Sequence, residues 1–125
     1  MRVSKSYYIP FLFLISLLMV SCYPQDNHDY PKTVNIGRDG GVHYIDGIEI
    51  MSVWIIDDHS NNISESIEYE DSIVQKAQWL TVVTYPDSRG LKIIAEPMTG
   101  NEKKRELRLE YSWGDSWGMT KVIQK

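Results

Sequence analysis

In residues 105–113, RELRLEYSW, polar and apolar side chains alternate without a break from Glu106 onward. Leu107, Leu109, Tyr111 and Trp113 fall on one side; Glu106, Arg108, Glu110 and Ser112 fall on the other. A period of two sends successive side chains to opposite faces of a strand and does not fit the 3.6-residue period of a helix. Gly114 and Asp115 follow as turn residues, and Trp117 to Gln124 reads as the returning strand. The C-terminal part of the chain is therefore a hairpin with one face to bury.

The rest of the chain carries the same signature. Thr33-Val34-Asn35-Ile36 alternates, and Gly40-Gly41 is a turn signal. Val42 to Ile45 is β-rich, and Asp46-Gly47 reads as a hairpin dipeptide. Ile48 to Ile56 is a longer apolar run containing Trp54. Trp79 to Tyr85 has high β propensity. Pro86 to Gly90 is a turn by composition, Leu91 to Glu96 is a strand, and Pro97 to Lys104 is a polar loop. Asp57 to Gln78 is acidic and weakly periodic. It reads either as a helical turn around Glu65–Tyr69 or as short edge strands near Ile67–Tyr69 and Ile73–Gln75. About seven short strands in roughly 100 residues predict an all-β, Ig-like sandwich. Val34, Ile36, Leu91, Ile93, Leu107, Leu109 and Tyr111 are expected inside, with Trp54 and Trp79 as core anchors.

The N-terminus follows different rules. Arg2 and Lys5 precede a nearly unbroken apolar run from Ile9 to Val20. Twelve helical residues rise only ~18 Å, short of the ~30 Å hydrocarbon core. Residues 1–21 are read as a signal peptide, outside the fold. Met19-Val20-Ser21-Cys22 resembles the bacterial lipobox, and Cys22 is the only cysteine in the 125 residues. Cys22 is the expected lipidation site and the route to a membrane; several acyl chains make such anchoring stable. Tyr23 takes the place where an aspartate would signal inner-membrane retention, which points to the outer membrane, on its periplasmic or cell-surface face. Asp26 and Asp29 give the following stretch an acidic character that resembles surface-export signals of Bacteroidetes lipoproteins. Residues 22–31 are expected to be a polar tether, and 32–125 the domain. Without Arg2 and Lys5 the chain carries 11 basic and 17 acidic side chains, a net charge of −6. Nucleic acid is therefore not an expected partner.

Several short motifs, in order, resemble the BACON family of Ig-like modules in Bacteroidetes secreted proteins. They are Gly40-Gly41 before a strand, Trp79-Leu80-Thr81-Val82, the loop from Met98 through Asn101 to Arg105, the strand Glu106-Leu107-Arg108-Leu109, and the closing Val122-Ile123-Gln124. The resemblance spans about residues 33–125. It implies an Ig-like fold, Val122 and Gln124 on the inner side, and a carbohydrate- or mucin-binding role.

Catalytic signatures are missing from the sequence: there is no His-Glu-x-x-His, no Gly-x-Ser-x-Gly and no second cysteine. Neither a cofactor nor a metal is expected. Asp57-Asp58-His59 is the most site-like cluster, but its spacing fits no calcium loop and it reads as a solvated acidic loop. Asp71-Ser72-Ile73 resembles the O-glycosylation acceptor of Bacteroidetes exported proteins, making Ser72 a candidate for modification. Trp113, Trp117 and Tyr85 are the candidate ligand-contacting side chains, because sugar rings present C–H groups to the negative face of an aromatic ring. A three-residue loop, 114–116, would put both tryptophans on one face. A two-residue loop, Gly114-Asp115, pairs Ser112 with Trp117 and sends the tryptophans to opposite faces; it fits an inward Val122 and Gln124 better. The expected function is a non-catalytic, lipid-anchored envelope lipoprotein that contacts a glycan or an envelope protein. The alternative is a structural or assembly subunit of a surface glycan-uptake or adhesion complex.

Overall fold

A computed structural model describes residues 25–86 and 88–125. Residues 1–24, which include the stretch expected to be a signal peptide, the expected lipidation site Cys22 and Tyr23, lie outside the described residues. The architecture is an all-β sandwich, with nine strands where the sequence predicted about seven. The strands are β1 (Thr33–Ile36), β2 (Gly41–Ile45), β3 (Ser52–Ile56), β4 (Glu65–Glu68), β5 (Ile73–Ala77), β6 (Leu80–Thr84), β7 (Leu91–Ala95), β8 (Arg105–Ser112) and β9 (Trp117–Gln124). One sheet has the order β1-β9-β8-β3 and the other β2-β7-β6-β5-β4. β1 runs parallel to β9; every other pairing of strands is antiparallel.

The two additional strands come from the ambiguous acidic segment. β4 and β5 form a hairpin, with Glu65 opposite Lys76 and Glu68 opposite Ile73. β5 is held in turn by β6, where Val74 faces Val83. Pairing with an already buried strand decides for β where local propensity was indifferent. The helical alternative at 65–69 is not realised.

Asp46-Gly47 is not a hairpin turn. β2 pairs with β7 in one sheet and β3 with β8 in the other, so residues 46–51 cross between sheets. Ile48 to Met51, expected as strand, belong to this crossover. A Cβ on Gly47 would lie 2.3 Å from the Tyr30 ring, so the glycine is required by a close approach rather than by a turn.

The core lies between the sheets. Val53, Ile55, Leu107, Leu109, Tyr111 and Val122 face Ile45, Leu80, Val82, Leu91, Ile93 and Ala95. Ile36 is buried and Val34 packs partly against this cluster. Trp79 is a core residue, at the β5–β6 turn rather than in a strand. Trp54 is not one. Val53 and Ile55 take the inner positions of β3, and strand alternation turns Trp54 outward. Among the described residues one buried side-chain polar atom, the Trp113 indole nitrogen, has no hydrogen-bond partner; the other buried polar side chains are paired. The Gln124 amide donates to the carbonyls of Gly37 and Glu96 and accepts from Arg105. The Tyr111 hydroxyl donates to Thr120 (2.7 Å), which donates to the Pro31 carbonyl (2.6 Å).

Residues 25–31 are part of this fold, which corrects the expectation of a tether. Gln25 bridges to Trp117, and the Asp26 N–H donates to the Trp117 carbonyl at 2.8 Å. Asn27 pairs with the Met119 backbone through both ends of its amide, at 2.7 and 3.1 Å. Tyr30 is 3% exposed, packs on Tyr111 at 4.9 Å between ring centres, and donates its hydroxyl to the Ile48 carbonyl. Burial pushes the Tyr30 phenol up to about 12 from its ordinary 10 and raises that of Tyr111 as well. Both phenols hold their protons in the fold after the unfolded chain has released its own. Stability is thus complete below pH 10 and falls as pH rises from about 10 through about 12. Denaturation midpoints measured across that range should show this limb, and the double variant Tyr30→Phe/Tyr111→Phe should flatten it.

Candidate functional site

The outer face of the four-stranded sheet carries the side chains that alternation excludes from the core. Two rows cross it. Ser52, Ser112 and Trp117 form one; Trp54, Glu110 and Met119 form the next. β8 runs between the two tryptophans, so Trp54 and Trp117 stand on the flanking strands, offset by one row. Adjacent strands lie about 4.8 Å apart, so this leaves a floor about 10 Å wide between β3 and β9. Trp54, Arg108, Glu110, Ser112, Trp117 and Met119 line a shallow groove of about 520 Å³. That volume suits a small ligand, but an open groove desolvates only one side of it.

The loop after β3 shapes one end of this groove. Asp57 accepts backbone N–H bonds from Asn61 (2.8 Å) and His59 (2.9 Å). Those bonds, from Asn61 first, hold its carboxyl below the usual range. The loop so formed receives the Arg108 guanidinium, which donates to the Asp57 carbonyl at 3.0 Å and to the Ser60 hydroxyl at 3.3 Å. Asp57-Asp58-His59 thus orients an arginine rather than gathering ligands. Among the described residues no three His, Cys, Asp or Glu side chains converge on a point that would hold a metal.

The two-residue register is the one adopted: Ser112 pairs with Trp117, and the Trp113 N–H donates to the Ser116 carbonyl. Gly114 turns at φ +92° in the first central position, as a primed hairpin turn requires. Trp113 packs at the edge of the core, 5.7 Å from Tyr111 and edge-on to His28 at 4.5 Å. Its indole nitrogen is buried. Trp117 is half-buried on the opposite face. The structure therefore separates Trp113 from Trp117. Tyr85 does not join Trp117 either; it lines a cleft of about 460 Å³ between the sheet edges, shared with Trp54, Met51 and Ile73.

Ser72 sits in the β4–β5 turn and is 9% exposed, its carbonyl accepting from the Tyr69 N–H. The candidate for modification is thus nearly buried rather than displayed at the surface.

Three comparisons with known proteins bear on this chain. No family model matches it. No curated protein matches it. A solved structure does: the NMR structure of a protein from Bacteroides thetaiotaomicron, with a TM-score of 0.53 and 16% identity. The match covers 82% of this chain and 86% of that one. At that identity the likeness concerns the fold.

Two features escaped the sequence reading. The outward Trp54 was legible, since Val53 and Ile55 claim the inner positions at a period of two. The Asp26–His28–Ser116 cluster was not, because it joins residues far apart in sequence. His28 Nε2 lies 2.8 Å from the Ser116 hydroxyl, and Nδ1 lies 3.6 Å from Asp26. The order resembles a nucleophile–base–acid relay, but a nucleophile must be reachable and Ser116 is 4% exposed. The cluster fastens the N-terminal segment to the hairpin.

Proposed function

We propose that this chain is a non-catalytic, lipid-anchored lipoprotein of the outer membrane, carrying a BACON-like sandwich that holds glycan weakly on its four-stranded sheet. The supporting observation is the pair Trp54 and Trp117 flanking the groove. Two half-buried indoles on one face offer π surfaces to the C–H side of a sugar ring. Arg108 supplies donors and Glu110 acceptors to its hydroxyls, and Ser112 supplies both. Titration of the protein with soluble polysaccharides, followed by tryptophan fluorescence, tests this. Trp117→Ala and Trp54→Ala are each expected to weaken binding about tenfold, ~1.4 kcal/mol, with an unchanged far-UV spectrum. Absence of any glycan-dependent signal, or retention of full affinity by both variants, defeats the reading.

A second reading, a structural or assembly subunit of a surface complex, is favoured by β4. It is the edge of the five-stranded sheet, exposed along all four residues, with Ile67 exposed between Ser66 and Glu68. An open edge is a template for a partner's strand. Mild extraction of membranes should then recover a stoichiometric partner lost on Ile67→Lys; recovery of the protein alone counts against it.

A further inference from the structure

Alternating strand directions bring one set of connections to one end of the sandwich. β2, β4, β6 and β8 finish there, and β3, β5, β7 and β9 begin there, as the pairs Ile45–Leu91, Glu68–Ile73, Ser52–Ser112 and Ser112–Trp117 establish. The 46–51 crossover closes the same end: the Arg89 guanidinium donates to the Gly47 carbonyl, and Met51 packs beside Gly114. The N-terminal segment is docked at this end too, through Gln25 to Trp117.

Six large hydrophobic side chains are exposed among the described residues, and four of them, Tyr44, Met51, Tyr69 and Tyr85, belong to this end. Tyr44 and Tyr85 line one depression with Arg89. Tyr69 lies in the β4–β5 turn at the far edge of the sheet. The four are spread across the end as a rim, from the β2 edge to the β4 edge. The loops at the opposite end, 37–40, 57–62 and 96–104, expose no large hydrophobic side chain. Singly exposed apolar residues are ordinary. Concentration at one end, three of them tyrosines with an apolar ring and a polar tip, is the pattern of a membrane interface.

Chain length supplies the occupant. Two residues, Tyr23 and Pro24, separate Cys22 from Gln25, and the three steps between them, at ~3.3–3.6 Å each, span at most ~11 Å. The interfacial layer on each side of the hydrocarbon is about 5–8 Å deep. A lipid on Cys22 therefore leaves little freedom: the domain is fastened at Gln25, not at Lys32, and the end bearing Gln25 must stay at the headgroups. We propose that this end, with Tyr44, Met51, Tyr69 and Tyr85, rests on a lipid surface while the 96–104 end points away. The inference rests on lipidation of Cys22. Charge selects the lipid. Asp46, Glu49, Glu68, Glu70 and Asp115 are exposed at this end against Arg89, so anionic headgroups are repelled and zwitterionic ones accepted.

The test uses the full chain, expressed with its leader, purified from membranes and reconstituted into phosphatidylcholine vesicles containing headgroup-nitroxide lipid. A fluorophore is placed through Ser88→Cys at the near end or Asn101→Cys at the far end; acylation of Cys22 removes the natural thiol from the labelling. Metabolic palmitate labelling run alongside reports on the anchor itself. Expected is quenching at residue 88 at least about threefold that at residue 101, reduced by Tyr44→Ser/Tyr69→Ser/Tyr85→Ser and by admixed phosphatidylglycerol. Equal quenching of the two probes in palmitate-labelled protein overturns the orientation and leaves the anchor standing. Quenching at residue 88 that is unchanged by the tyrosine variant overturns the tyrosine contact. Failure of Cys22 to take up palmitate removes the anchor, and the orientation with it.

Discussion

Tyr30→Ala is expected to destabilise the protein by about 3–5 kcal/mol, the range for removing a buried aromatic side chain. That is a large part of the ~5–15 kcal/mol by which a domain of this size is stable. The residue precedes the first strand and sits in a run of polar residues and prolines, where a free tether would make the substitution silent. The structure places its ring among Tyr111 and Trp113 and its hydroxyl on the Ile48 carbonyl. Urea denaturation of the variant measures the loss. A change below about 1 kcal/mol would mean that residues 25–31 do not dock.

The second large effect is expected on the other side of the same contact. A methyl group at Gly47 would meet three atoms of the Tyr30 ring at 2.3 to 2.7 Å, well inside the ~3.5–4.0 Å of an ordinary carbon contact. The ring is buried beside Tyr111 and Trp113 and held at its hydroxyl, so it has no easy way to swing aside. Gly47→Ala should cost about 3 kcal/mol, the upper part of the usual overpacking range. In the Tyr30→Ala background the same substitution should cost about 1 kcal/mol or less, because the obstructing ring is gone. A double-mutant cycle would then return a coupling of about 2 kcal/mol. Additive losses would show that the clash is not the reason for the glycine.

Those two residues also mark where sequence reasoning stopped. Asp46-Gly47 has the composition of a hairpin turn, and local chemistry alone cannot distinguish a turn glycine from one that admits a distant ring. Tyr30 stands in a segment with no apolar periodicity, so nothing local signals burial. The acidic run 57–78 failed for the opposite reason. It tolerates several local conformations, and its β4–β5 hairpin is selected by pairing with β6. Trp54 is different: its outward direction follows from Val53 and Ile55, and the attraction of tryptophan for a core obscured a parity already present.

What the residues determined alone is the class of fold, most of the strands and the inner face. A period of two is a local property, and it assigns Leu107, Leu109 and Tyr111 to one side whatever the rest of the chain does. The β8–β9 hairpin belongs here only in part: its residues allow a two- or a three-residue loop, the inward Val122 and Gln124 implied by the family resemblance lean to the shorter one, and the pairing of Ser112 with Trp117 fixes it. Tertiary structure decided which strands neighbour one another, that the domain begins by Gln25, and that Trp54 and Trp117 share a groove. Each of these joins residues remote in the chain, and such contacts depend on the packing of two sheets, which no local pattern encodes.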